Sequence, residues 1–139
     1  MASNFVFADT SFFKAYIDQK DIFHPQALKI LKQLKKTGAI LITSNYILDE
    51  IFTLLRVKCG LDLAMDFKAV LEEFETDLKI VRVLAKDEAN AWKWFVKDWS
   101  KLSFTDCVSF ALMERLSLQV AAAFDEHFKK AGFKISRVQ

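Results

Sequence analysis

The sequence predicts an α/β fold in which parallel strands are joined by helical crossovers. Short apolar runs alternate with longer helical patterns along the chain, two of these runs are apolar on both faces, and only 3 Gly and 1 Pro are present. Alternation of this kind is typical of a parallel sheet. The predicted strands are residues 5–8, 39–43, 79–83, 118–124 and 133–138.

The strand runs differ in a way that predicts their places in the sheet. Residues 5–8 and 120–124 are apolar throughout, as central strands covered on both faces should be. Residues 133–138 interleave Lys134, Ser136 and Arg137 with apolar side chains. We therefore expect this last strand at an edge.

Helix boundaries are marked by proline, serine and glycine. One helix begins near Pro25 and ends at Gly38, and its predicted inward stripe is Ala27, Leu28, Leu31 and Leu34. Gly60 separates helices at 44–59 and 61–75, a hairpin with apolar surface that a second copy of the chain can cover. In the next helix the inward positions are predicted to be Trp92, Phe95, Val96 and Trp99, with Trp94 outward.

Bulk properties restrict the class of protein. A length of 139 residues predicts one domain, residues 1–139. The net charge of +2 is compatible with a nucleic-acid partner without requiring one. Cys59 and Cys107 are expected to be buried free thiols in a reducing compartment. No signal peptide or membrane span is evident, so we expect no membrane partner and a cytoplasmic location.

Two acidic residues follow the fully apolar strands. Asp9 comes directly after residues 5–8, and Asp125 comes directly after residues 118–124. Ligand sites of open parallel sheets lie at the carboxyl ends of strands. Each carboxylate also has a structural interpretation, because either residue is suited to cap the helix that follows it.

Two further acids lie on helices. Helical spacing groups Glu50 with Ile47, Ile51 and Leu54, so it is expected on the inward side, as a functional group or in a salt bridge. Asp106 begins a helix that is apolar almost all round, and it stands three residues after Ser103, the spacing of a capping box. Gathered at one end of the sheet, these four acids would form a divalent-metal site of oxygen ligands.

Four segments of the chain resemble the PIN-domain family, and the layout is similar to that of single-domain VapC-type toxins. The segments are FADTS at 7–11, TSNYILDEIFTLL at 43–55, LSFTDCVSFA at 102–111 and AFDEHF at 123–128. The resemblance implies a three-layer α/β/α sandwich with a central parallel sheet of four or five strands. It implies an endoribonuclease that depends on Mg²⁺ or Mn²⁺.

The resemblance also assigns roles to residues. The metal-binding acids fall on Asp9, Glu50, Asp106 and Asp125, and the hydrogen-bonding support falls on Thr10, Ser11 and Thr105. One departure is Ala123, where many relatives carry a hydroxyl residue. Implied partners are an RNA substrate, an antitoxin protein that wraps the helical hairpin, and a second copy of the chain in a homodimer.

Other classes of protein fit these residues less well. A phosphatase of the haloacid-dehalogenase type would need an acid where Ser11 stands, and a receiver domain would need paired acids before its first helix. His24 and His127 are expected to be structural or surface residues, because no Ser/His/Asp or Cys/His arrangement is organised around them. The open alternative is a catalytically silent PIN-like module that binds RNA or a protein.

Overall fold

A computed structural model describes residues 4–74 and 77–136 of the chain. Within them five strands alternate with seven helices. In chain order the elements are β1 (Phe5–Ala8), α1 (Thr10–Ile17), α2 (His24–Lys36), β2 (Ile40–Ser44), α3 (Asn45–Lys58), α4 (Leu61–Glu73), β3 (Leu78–Val81), α5 (Ala85–Phe95), α6 (Phe104–Arg115), β4 (Val120–Ala122), α7 (His127–Lys130) and β5 (Lys134–Ile135).

The strands form one parallel sheet with the order β3-β2-β1-β4-β5. Phe7 of β1 is in register with Ile42 of β2 on one side and with Ala121 of β4 on the other. The predicted α/β/α sandwich with a parallel sheet is confirmed, as are the interior positions of β1 and β4 and the edge position of β5. Parallel strands require crossovers, and the helices supply them.

The strand order reverses its direction at β1. The chain runs outward from β1 through β2 to β3, and then returns to place β4 on the other side of β1. Open α/β sheets bind ligands at such a switch point, just beyond the carboxyl ends of the strands. The residues that directly follow β1 and β4 therefore meet where a ligand site is expected.

Aromatic side chains fill the core between the sheet and the helices that cover it. Phe7 of β1 packs against Phe128 of α7 with ring centroids 6.1 Å apart, and Phe128 packs edge-on against Phe110 of α6 at 5.0 Å. Phe13 of α1 meets Phe67 of α4 at 5.3 Å. These contacts anchor α1, α6 and α7, whose ends carry or adjoin the candidate site residues.

Some predicted boundaries differ from the structure. β3 ends at Val81 rather than at residue 83, because the Val83 N–H donates to Asn45 Oδ1 (2.8 Å) instead of to a strand. β4 covers only Val120–Ala122 of the predicted 118–124. The predicted end of the second hairpin helix at residue 75 and the last two residues of strand 133–138 lie outside the described residues.

The predicted inward face of α5 is wrong. Trp92 is 55% exposed and Val96 is 76% exposed, whereas Trp94 is half-buried and packs edge-on against Phe110 at 5.3 Å. α5 instead contacts α6 through Asp87, Ala91 and Trp94, which are spaced i, i+4, i+7. Asp87 faces inward because it is buried in an ion pair with Arg115. The hydrophobic pattern of the sequence could not predict this, since it assigns a charged residue to the solvent side.

Two other expectations about burial need correction. Leu28 in α2 is exposed, and Ile30 occupies the core with Ala27 and Leu31 in its place. Cys107 is buried as expected, but Cys59 caps the carboxyl end of α3 and is exposed. Among residues 4–74 and 77–136, no helix combines the length and the apolar character needed to cross a bilayer.

Candidate metal centre

A cleft of about 600 Å³ opens beyond the carboxyl ends of β1 and β4. All four acids predicted from the sequence line it, namely Asp9, Glu50, Asp106 and Asp125. Two of the predicted supporting residues, Thr10 and Ser11, line it as well. The third, Thr105, borders a neighbouring groove that shares Glu50 with the cleft.

Asp9 caps α1 and also faces the cleft. Its Oδ2 accepts hydrogen bonds from the Ser11 N–H (3.1 Å) and the Ser11 hydroxyl (2.7 Å). The residue is only 2% exposed, and its Oδ1 is the one buried side-chain oxygen or nitrogen in the described part of the chain that lacks a hydrogen-bond partner. Capping therefore accounts for one oxygen of this carboxylate and leaves the other unexplained.

Asp106 likewise combines two roles. It forms a capping box with Ser103: the Asp106 N–H donates to Ser103 Oγ (3.0 Å), and the Ser103 N–H donates to Asp106 Oδ2 (3.3 Å). The same Oδ2 lies 3.0 Å from His127 Nδ1. The capping interaction predicted from the sequence is present, and it fixes the carboxylate at the wall of the cleft.

Glu50 and Asp125 are less buried. Thr10 Oγ1 donates a hydrogen bond to Glu50 Oε1, which ties α3 to the start of α1. Asp125 Oδ1 accepts from the His127 N–H at 3.0 Å. That bond supports Asp125 at a position where Ala123 supplies no hydroxyl.

Ser11 connects the two strand ends that carry acids. Its hydroxyl donates to Asp9 Oδ2 and accepts from the Phe124 N–H at 2.9 Å. The residue before Asp125 is thus held against the carboxylate that follows β1. One small polar side chain fixes the relative position of both acids.

The carboxylates in the cleft are electrostatically strained. Burial, followed by repulsion from Asp125 and then from Asp106, holds the pKa of Asp9 well above its usual value. Burial and the Asp125 charge raise the pKa of Asp106 to about 6. Among the described residues, no Lys or Arg forms a salt bridge with any of the four acids.

This donor set fits a hard divalent cation. The carboxylates supply oxygen ligands of the kind that Mg²⁺ and Mn²⁺ take in proteins. Single ligand atoms of Asp106, Asp125 and His127 all lie within 4.8 Å of one another. The unpartnered Oδ1 of Asp9 and the raised pKa values show what such a cation would relieve.

The sequence did not identify every residue of the cleft. His127, expected to be structural or on the surface, contacts Asp106, and its place two residues after a strand-end acid was the available signal. Of the basic residues, Lys14 and Lys101 line the cleft, and Lys14 Nζ is held by Asp18 (2.7 Å) and Asp21 (3.2 Å). Lys14 lies on α1, whereas the placement of Lys101 and His127 depends on connections whose geometry periodicity does not encode.

Comparison with known proteins agrees with this architecture. A sequence model of the PIN domain matches residues 6–134. The 23S rRNA-specific endonuclease VapC20 of Mycobacterium tuberculosis, from strains CDC 1551 and H37Rv, is 36% identical over 129 residues, covering 92% of this chain and 95% of the relative.

A solved structure is also similar. The crystal structure of Mycobacterium tuberculosis VapC20, a sarcin-ricin loop cleaving toxin, superposes with a TM-score of 0.78 at 36% identity and covers 92% of this chain and 95% of the other. The match therefore covers most of both chains. With the PIN model matched from residue 6 to residue 134, the chain belongs to the PIN domain family.

Proposed function

We propose that this chain, acting as one PIN domain, is a metal-dependent endoribonuclease and the toxin of a toxin-antitoxin pair. Similarity to VapC20 along 92% of the chain supports the endoribonuclease and toxin assignments. The metal dependence rests on the cleft itself. We propose a cytoplasmic location, because the RNA on which such an enzyme acts is found there.

The observation that carries the proposal is the state of Asp9. A carboxylate that is 2% exposed, with one oxygen unpartnered and with two further acids raising its pKa, is expensive for a fold that uses acids only as caps. A bound divalent cation removes that cost. A silent module would be expected to satisfy this oxygen with a protein donor.

In the proposed site, Asp9, Asp106 and Glu50 hold the cation, and Asp125 completes the site or orients the attacking water. Bound Mg²⁺ or Mn²⁺ supplies Lewis acidity, which lowers the pKa of water and balances charge at phosphorus. Ser11 holds the acids that follow β1 and β4 in fixed relative positions. No side chain is required as a nucleophile.

The reaction we propose is in-line hydrolysis of a phosphodiester bond. Water attacks phosphorus, the bond to the 3′ oxygen breaks, and the products carry 5′-phosphate and 3′-hydroxyl ends. Lys101, at the rim of the cleft, is placed to contact a backbone phosphate. By its similarity to VapC20, the substrate we propose is 23S rRNA.

The purified chain should therefore cleave 23S rRNA in Mg²⁺ or Mn²⁺, and EDTA should abolish cleavage because the acids alone cannot activate water. Primer extension would locate the cut, and ligation to the new ends would test for the 5′-phosphate. Mn²⁺ should also raise the melting temperature, since a ligand that binds only the folded state stabilises it. A protein without either response would be the silent RNA- or protein-binding module.

Two exposed apolar surfaces suit the proposed protein partners. On the α3–α4 hairpin, Val57, Leu61 and Met65 are exposed, and we assign this surface to the antitoxin. At the junction of α5 and α6, the rings of Trp92, Phe95 and Phe104 contact one another with centroids 5.1 to 5.7 Å apart. We assign this aromatic cluster to a second copy of the chain.

Replacing Trp92 with Glu should convert a homodimer into a monomer, because a charge would be buried at the centre of an aromatic interface. Light scattering after gel filtration would measure the mass, expected to fall from twice 16.0 kDa to that of one chain. Met65→Glu is the matched control on the hairpin and should leave the mass unchanged. A Trp92→Glu dimer would refute the assignment of the aromatic cluster.

A further inference from the structure

His127 makes two contacts, one of which shows that its Nε2 carries hydrogen. Its Nε2 lies 2.8 Å from the carbonyl oxygen of Ser100. Because a carbonyl oxygen can only accept, Nε2 must donate, and in the neutral ring the lone pair then lies on Nδ1. Nδ1 is 3.0 Å from Asp106 Oδ2 and 4.0 Å from Asp125 Oδ1.

That lone pair would face two carboxylate oxygens, so a proton or a metal ion must lie among them. Donation of the other ring N–H to a backbone carbonyl is the arrangement that orients metal-binding histidines. The separations also suit ligands on one ion: with metal–ligand distances of about 2.1 Å, adjacent ligands in an octahedron are about 3 Å apart and opposite ligands about 4 Å apart.

A second feature of the cleft points to the same ion. Asp9, which follows β1, is almost completely buried, and its Oδ1 has no hydrogen-bond partner among the described residues. Asp9, Asp106, Asp125 and His127 line one cleft. The acids predicted from the sequence form an oxygen-only set, to which His127 adds a nitrogen.

We propose that His127 Nδ1 is a metal ligand beside the carboxylates of Asp106 and Asp125, and that it makes the site select Mn²⁺ over Mg²⁺. The inference rests on the proposed function, because it needs a metal at this site. Mn²⁺ also takes oxygen ligands, but as a first-row transition ion it accepts imidazole nitrogen more readily than Mg²⁺, which takes oxygen ligands and keeps several waters. Selectivity therefore distinguishes a ligand from a residue that only orients Asp106.

The experiment uses pulsed electron paramagnetic resonance on the full chain with one equivalent of Mn²⁺. A coordinated imidazole gives a nitrogen-14 modulation of the Mn²⁺ echo. The chain has two histidines, so the source can be assigned. Wild type and His24→Asn should show the modulation, and His127→Asn should lose it. His24 is a suitable control because its Nδ1 contacts the Ala15 carbonyl oxygen at 2.8 Å.

Calorimetry of the same variants provides the second measurement. His127→Asn should weaken Mn²⁺ binding by about tenfold or more, and Mg²⁺ binding by no more than about twofold. Equal losses for both ions would identify a positioning residue and overturn the inference. So would bound Mn²⁺ without nitrogen modulation in the wild type, a result that needs no variant to fold.

The outcomes separate this inference from the proposed function. Suppose that wild type binds Mn²⁺ and Asp9→Asn does not, but that the bound ion shows no nitrogen coordination. This result would overturn the role of His127 alone. Failure of wild type to bind Mn²⁺ would overturn both.

Discussion

Asp9→Asn should reduce metal-dependent RNA cleavage by about 1,000-fold while making the metal-free protein more stable at neutral pH. Charge stabilisation by a bound metal contributes several kcal/mol to the transition state, and each 1.36 kcal/mol corresponds to about tenfold in rate. Asn retains the side-chain oxygen that accepts from Ser11, so the cap of α1 is preserved. Only the buried charge is removed.

The gain in stability should depend on pH. A carboxylate whose pKa is raised by folding destabilises the native state once it ionises, so wild-type stability falls as pH rises through that folded pKa. The pKa of Asp106 is about 6, against an ordinary value of 3.8, so the advantage of Asp106→Asn should grow between about pH 4 and pH 6. Asp9→Asn should behave in the same direction.

Melting curves in EDTA and in Mn²⁺ would test this prediction together with the cleavage assay. In Mn²⁺ the order should reverse, because wild type gains more from binding. Asp66→Asn, an exposed acid on α4, is the matched control and should change neither property. Full activity in Asp9→Asn would show that the residue has no role in cleavage, and a loss of metal-free stability at pH 7.5 would contradict the predicted cost of the buried charge.

Arg115→Met should destabilise the protein by about 3 kcal/mol, the scale for breaking a buried ion pair by removing one partner. Arg115 donates to Asp87 Oδ1 (2.8 Å) and Oδ2 (2.9 Å), and the Asp87 side chain is only 1% exposed. The methionine chain retains packing but leaves a buried carboxylate whose only remaining donor among the described residues is the Leu84 N–H.

The pH dependence of this pair has the opposite sign to that of the cleft acids. Burial acts to raise the pKa of Asp87, but the hydrogen bonds from Arg115 and Leu84 outweigh it and the pKa lies below its usual value. The stabilisation is therefore present above the ordinary pKa of Asp and is lost as the pH falls through the lower folded pKa. Arg115→Met should remove that acid-sensitive part.

Urea unfolding at pH 7 would measure the free-energy change for Arg115→Met. The double variant Asp87→Leu/Arg115→Met is the informative control, because removing both charges should recover much of the loss. Lys93→Met is a second control, because it removes an exposed cation of α5 that pairs with Glu114 of α6. It should have little effect on the free energy of unfolding. A similar small effect for Arg115→Met would mean that the buried pair contributes little.

The strand-end acids were predictable because their signal is local. Asp9 and Asp125 each follow an apolar run, and a parallel sheet places the ends of such runs together. Glu50 was predictable from its helical phase among Ile47 and Ile51, which are fully buried. These features depend on hydrophobic periodicity and on the direction of the strands, and both can be predicted from the sequence itself.

The remaining features depend on contacts between distant residues. The face of α5 is set by Asp87, whose burial requires Arg115, 28 residues later in the chain. His127 and Lys101 reach the cleft through short connections whose conformations follow no repeat, and Lys101 has a φ of 60°. Neither period nor composition predicts such placements.

The pairing of β1 with β4 has a consequence for synthesis of the protein. Phe7 meets Ala121 across the centre of the sheet, so one wall of the cleft is translated more than a hundred residues after the other. A growing chain attached to the ribosome therefore carries Asp9 and Glu50 without Asp125 while the residues between them are translated. The proposed metal centre cannot be completed during that interval, so the proposed nuclease is inactive while this part of the chain is being made.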